Sequence, residues 1–234
     1  VDELATEPMD SCSELPDGAD HLDAADVPTP KPATPRVSKV ALFINVTVSQ
    51  GLFAAVLLAG VAFADIPPSA LGIGTGVVSG GIAVAVGAAV GIVIAILNTV
   101  AGSVADAFDA DPSGALRELL APESGRGWLV LLIVVLPTIA GVEELLFRGI
   151  LIGAFATGFD LSPWLLAVGA SVVFGAGHGA QGRLGIVATG ALGFVLATVF
   201  VTTGSLLVVV VAHYVVNVAE FVLLEGIGYE PLGE

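Results

Sequence analysis

The chain has 234 residues, 56% of them hydrophobic and only 12% charged, with 30 glycines, a formal net charge of −15 and a mean hydropathy of +0.97. A soluble domain carries about a quarter charged residues to cover its surface, so an ordinary soluble enzyme is excluded. Seven Lys and Arg scattered over the whole length leave no basic patch, which excludes nucleic acid as a partner.

Residues 1–38 read as an acidic, Pro-rich disordered tail. Nine of the 22 carboxylates precede Val27 without one Lys or Arg among them, and Pro28, Pro30, Pro32 and Pro35 follow. So few large apolar side chains cannot offset the entropy of ordering the segment. It begins acidic and has no apolar core before Val40, unlike a signal peptide. Such a surface suits a high-salt cytoplasm, where self-repulsion is screened. Cys12 stands alone in this tail, so no internal disulfide is possible.

The first membrane span is expected from about Val40 to Ala64, 25 uncharged residues against the roughly 20 needed to cross a bilayer, and Asp65-Ile66-Pro67-Pro68 ends it. The uncharged run 66–105 reads as one long helix from about Ala70 to Asn98. Gly72, Gly76 and Gly80, then Gly87 and Gly91, repeat every four residues and let neighbouring helices approach closely. Residues 106–127 form an interfacial loop, within which Pro112–Leu120 makes a short amphipathic helix capped by Ser113, with Arg117 and Glu118 facing water. Trp128 marks re-entry at headgroup level, and a third span runs to about Phe155. A fourth is expected from Ser162 to about His178, a fifth from Leu184 to about Val201, and a sixth ends near Leu224. The fold class is therefore an all-α polytopic membrane helix bundle of about six transmembrane helices. Lys31, Arg36 and Lys39 before the first span, with Arg117 and Arg126 in the loop, put the amino terminus in the cytoplasm.

An ionisable group at the centre of a span costs about 2.5–3.5 kcal/mol and so needs a reason. Glu143 and Glu144 lie deep in the third span. Neighbours on a helix are about 100° apart, so the two carboxylates should not face the same partner. Arg148, four residues on, can pair with Glu144, which leaves Glu143 without a local cation and available as a general base. The alternative is a purely structural Glu–Arg bridge. His178 closes the fourth span one turn after Phe174. In the sixth, His213 precedes Asn217 by one turn, converging donors of the kind that stabilise an oxyanion, or else an interhelical hydrogen-bonding pair. Glu220 shares the face of Asn217, near the headgroups and solvated. No HExxH pair or phosphate-binding signature occurs.

Glu143-Glu144-Leu-Leu-Phe-Arg148, Phe174-Gly-Ala-Gly-His178 and His213-Tyr-Val-Val-Asn217, in that order on successive apolar helices, resemble the CPBP family of intramembrane proteases: the type II CAAX prenyl endopeptidases and their bacteriocin-processing and immunity relatives. The resemblance covers about Trp128 to Leu224. It implies an intramembrane active-site cavity in which Glu143 and His178 activate a water, His213 and Asn217 hold the oxyanion, and Glu144, Arg148 and Phe174 support the site. It implies a peptide or protein substrate in or at the membrane, and no required cofactor. Zn2+ held by Glu143, His178 and His213 is the alternative, as in a metalloprotease-like site. Residues 39–127 would be accessory transmembrane helices with the interfacial loop, and 128–234 the catalytic core, of a multi-pass protein of the cell membrane. A non-catalytic immunity or scaffold protein that keeps the polar motifs for helix packing is the competing function. A proton-coupled transporter is a third, but the halves show no internal repeat.

Overall fold

A computed structural model describes residues 38–74, 76–106 and 114–228. The tail expected over 1–38 lies outside the described residues except for Ser38, as does the cap expected at Ser113. The chain is all-α, with no strand among the described residues.

Helix α1, Lys39–Phe63, occupies the first uncharged run and stops where Asp65 takes a left-handed backbone (φ 51°) ahead of Pro67 and Pro68. After a 3-10 turn at Pro68–Leu71, α2 begins at Gly80, ten residues later than expected, and continues to Asp106 rather than Asn98. Gly72, Gly74 and Gly80 all have positive φ (74°, 80° and 56°), so they break the helix expected from the four-residue spacing. Instead the segment docks on the turn before the last span: the Leu206 N–H donates to the Gly72 carbonyl (3.0 Å) and the Val77 N–H to that of Thr203 (2.9 Å). A Cβ on Gly76 would lie 2.7 Å from that of Ser205.

Helix α3, Gly114–Leu120, is the short interfacial helix. Glu118 is exposed as expected, but Arg117 is not: its side chain is 12% exposed and pairs with Glu225 (2.9 Å) and Glu220 (3.2 Å) at the far end of the chain. Glu220 is thus an ion-pair partner rather than a merely solvated carboxylate. Lys39 donates to the carbonyls of Glu118 and Leu119, closing the α3 C-terminus against the start of α1.

The third span, α4, is one 35-residue passage, Gly125–Phe159, started by the Ser124 hydroxyl accepting the Gly127 N–H. It is α-helical with two wider π-helical stretches, Leu131–Val135 and Leu145–Ala154. The first has a cause in the sequence. Pro137 has no N–H to give, and the Leu136 N–H bonds back to the Leu131 carbonyl. The Leu132 carbonyl is thereby left without either helical donor, and the Tyr214 hydroxyl fills it at 3.0 Å.

Helix α5, Pro163–Gly177, opens with proline at its first turn; α6, Gly182–Thr203, ends at Gly204 in the left-handed region (φ 62°); α7, Leu206–Glu220, runs on as a π turn, Phe221–Gly226. Among the described residues five helices are long and apolar enough to cross a membrane, and the expected fourth span, α5, is apolar but only 15 residues. That is about 22 Å of helix.

Apolar neighbours are no gain over lipid, so close backbone approach has to hold such a bundle together. Here α7 lies along α2 where a Cβ on Gly87 or Gly91 would come within 2.5 or 2.6 Å of a carbonyl of Val208 or Ala212. The repeat expected to bring helices together does so at these two glycines. Helix α5 lies along α6 in the same way, Gly175 against the Ile186 carbonyl and Gly190. The outer faces carry Val48, Leu52, Ile92, Ile96, Val172 and Val187, all exposed, as a lipid-facing surface requires.

Candidate active site

Where α4, α5, α6 and α7 meet, the polar side chains of the three motifs, Asn217 apart, form one largely buried cluster. Glu144 and Arg148, one turn apart on α4, are 0% and 1% exposed and joined by Nη1 to Oε1 at 2.8 Å. The same Oε1 accepts from His213 Nδ1 on α7 at 2.7 Å. The other face of the His213 ring turns to Glu143: Nε2 lies 3.8 Å from Oε2. The expectation that the two glutamates face different partners therefore fails. An imidazole carries nitrogens on opposite edges, so one flat ring between the helices meets two carboxylates that diverge along α4.

Arg148 is held from three sides. Its Nη2 donates to the backbone carbonyl of Gly193 on α6 at 2.8 Å, and its Cζ lies 4.9 Å from the centre of the Phe174 ring. Phe174, 1% exposed, is the apolar hub of the cluster. It meets Phe147 edge-on at 4.9 Å, the His178 ring at 4.7 Å and the His213 ring edge-on at 6.2 Å. Its backbone carbonyl takes the Nδ1 proton of His178 at 2.8 Å. A carbonyl only accepts, so in the neutral His178 ring the lone pair is on Nε2, the atom left to address a water. The same reasoning at His213 makes Nδ1 the donor to Glu144, and Nε2 then donates only when the ring is doubly protonated. Glu143 keeps a 21% exposed side chain, whereas Glu144 is sealed. Asn217, half-buried, stands one turn beyond His213 on α7.

Of the seven candidate site residues read from the sequence, six lie on α4, α5 and α7 and His178 directly follows α5; all but Asn217 are joined through these bonds and ring contacts. Two further participants were not anticipated. Gly193 contributes only a carbonyl and an absence of side chain, and its one sequence signal is a glycine inside an apolar helix. Tyr214 sits inside the His213-to-Asn217 motif, and its signal is Pro137, which frees the carbonyl it meets. Among the described residues no three His, Cys, Asp or Glu side chains are grouped so as to hold a metal ion. Of the residues considered for zinc, Glu143 Oε2 lies 3.8 Å from His213 Nε2, and His178 bonds the Phe174 carbonyl through Nδ1.

Residues 125–219 match the family model described as Type II CAAX prenyl endopeptidase Rce1-like, a stretch that contains the cluster from Glu143 to His213 and Asn217 beyond it. The resemblance read from the three motifs is borne out over that stretch. No curated protein and no solved structure matches the chain. Among the described residues five helices are long and apolar enough to cross a bilayer, which with this match supports an integral membrane protein similar over that stretch to a peptidase family.

Proposed function

We propose that this protein is an intramembrane endopeptidase that hydrolyses a peptide bond of a membrane-associated substrate without a metal ion. The observation that carries the reading is the cluster itself. Two glutamates, an arginine and two histidines are drawn from three helices into an apolar bundle, with Glu143 left partly open beside His213. Keeping so many ionisable groups inside a membrane is costly unless they have a task.

In the proposed reaction Glu143 and Nε2 of His178 polarise a water, which attacks the scissile carbonyl carbon as Glu143 takes its proton. The carbonyl π electrons move to oxygen. That oxyanion is met by the Nε2 proton of doubly protonated His213 and by the Asn217 amide. The tetrahedral carbon then expels the amine, which leaves with the proton held by Glu143. Glu144 fixes the tautomer and charge of His213 through Nδ1, and Arg148 neutralises Glu144. The site lies in α4, α5 and α7, within the proposed catalytic core 128–234, with 39–127 accessory. We place the protein in the cell membrane, amino terminus in the cytoplasm.

The test is peptide release from a library of membrane-associated peptides by purified protein in detergent, comparing wild type with Glu143→Gln and wild type treated with a chelator. Cleavage that is lost in Glu143→Gln and survives the chelator is expected. Cleavage retained in Glu143→Gln would overturn the reading, and loss to the chelator alone would replace the water mechanism with a metal-dependent one.

A further inference from the structure

Every motif side chain of the cluster comes from α4, α7 or α5 and the residue that caps it, yet the cluster also rests on α6, at one position that has no side chain. Gly193 is buried, and its carbonyl already faces along its own helix. The Arg148 Nη2 reaches that oxygen from the side at 2.8 Å. A Cβ built on Gly193 would lie 2.9 Å from Phe174 Cδ1, closer than such atoms approach, and 3.6 Å from both Arg148 Nη2 and Phe174 Cβ. The Phe174 ring has nowhere easy to go. It is wedged among Phe147, Arg148 and the two imidazoles, and is 1% exposed. Packed interiors transmit such an intrusion instead of absorbing it.

The glycine one turn earlier makes the contrast. A Cβ on Gly190 would meet the Ser171 carbonyl at 3.5 Å and Gly175 Cα at 3.8 Å, both ordinary contacts. The α5–α6 crossing therefore has room for a methyl at 190 and none at 193. Helix proximity alone does not explain position 193; the seat of Phe174 and Arg148 does.

We infer that Gly193 is a positioning residue for the reaction proposed above: its carbonyl anchors Arg148, and its missing side chain sets the Phe174 ring, through which His178 and His213 are held at their working separation. The inference rests on that functional reading. A displacement of about 1 Å at a reacting centre can cost roughly 10²-fold in rate, so the loss should appear in kcat. Substrate contacts elsewhere are untouched, so KM should change little.

The experiment is a double-mutant cycle in the peptide-release assay: wild type, Gly193→Ala, Phe174→Leu and the double variant, with Gly190→Ala as control. Gly193→Ala is expected to lower kcat by about 10- to 100-fold with KM within about twofold, and Gly190→Ala to stay within about threefold of wild type. In the Phe174→Leu background, where the ring that the methyl strikes is gone, Gly193→Ala should cost less than about threefold. An equal loss in both backgrounds, or equal effects of the two glycine substitutions, would overturn the inference. If Gly193→Ala alone does not reach the membrane, the double variant decides. It should accumulate and work like Phe174→Leu, and its failure to accumulate would show that the ring is not the obstacle. Failure of the functional reading looks different, because Glu143→Gln would then cleave as well as wild type.

Discussion

Replacing Tyr214 by Phe removes one oxygen and leaves the ring in place, which isolates a single hydrogen bond. That bond goes to the Leu132 carbonyl at 3.0 Å. The carbonyl has no helical alternative: the Leu136 N–H is bonded to Leu131, and residue 137 is a proline without an N–H. Removing the hydroxyl strands an acceptor inside the bundle, where water cannot replace the donor. The expected cost is the penalty for an unsatisfied buried group, about 1–3 kcal/mol, not the smaller net value of an ordinary hydrogen bond. At roughly 2–4 °C per kcal/mol, the variant should unfold about 2–12 °C below wild type in detergent. The cause can be separated from loss of packing by adding Pro137→Ala, which returns an N–H to the helix. The Tyr214→Phe penalty should then fall by at least half. If it is the same with and without Pro137, the stranded carbonyl is not the reason and the account of the π stretch is wrong.

Arg148→Lys keeps the charge but cannot bond Glu144 and the Gly193 carbonyl while lying flat against Phe174. It should cost about 2–4 kcal/mol by thermal unfolding, the sum of one charge-assisted hydrogen bond and a cation–π contact. Arg148→Met leaves the sealed Glu144 without its cation and should cost at least as much, about 3–5 kcal/mol, on the same assay. Gly91→Ala, placing a methyl 2.6 Å from the Ala212 carbonyl, should destabilise by about 1–3 kcal/mol, whereas Gly51→Ala, with open space around it, should stabilise slightly or not at all. Arg117→Gln should cost no more than about 1 kcal/mol, shrinking further in high salt, because Glu220 is 36% exposed.

The architecture was readable because a bilayer imposes length and apolarity on every span, and charges or turn residues such as Thr202-Thr203-Gly204-Ser205 mark where the chain leaves it. Helices α1, α6 and α7 begin and end within a few residues of their expected limits for this reason. Helix α2 did not, because a four-residue glycine repeat is compatible both with a packing face and with a chain of left-handed turns. Periodicity does not separate the two; the partner surface at Thr203–Leu206 does. In the cluster, the pairing of Glu144 with Arg148 follows from helical spacing alone. The meeting of both glutamates at His213 depends on where α7 crosses α4, and no local pattern encodes that. The pairing of Arg117 with Glu220 and Glu225 likewise spans more than a hundred residues of sequence, so an amphipathic-helix reading turned the arginine toward water instead.

The join between residues 72–77 and the Thr203–Leu206 turn is made by main-chain atoms: two amide-to-carbonyl bonds, with Gly76 pressed against Ser205. Such a fastening is largely invisible to alanine scanning, since replacing most side chains nearby removes none of its bonds. It should be visible to hydrogen exchange instead. The amides of Val77 and Leu206, far apart in sequence, would be released in the same opening event, at a rate set by the parting of the α1–α2 half from the α6–α7 hairpin and not by fraying of either helix. The first two spans would then be fastened to the helix that carries His213, and loosening that clasp would be felt at the cluster before any of its own residues had changed.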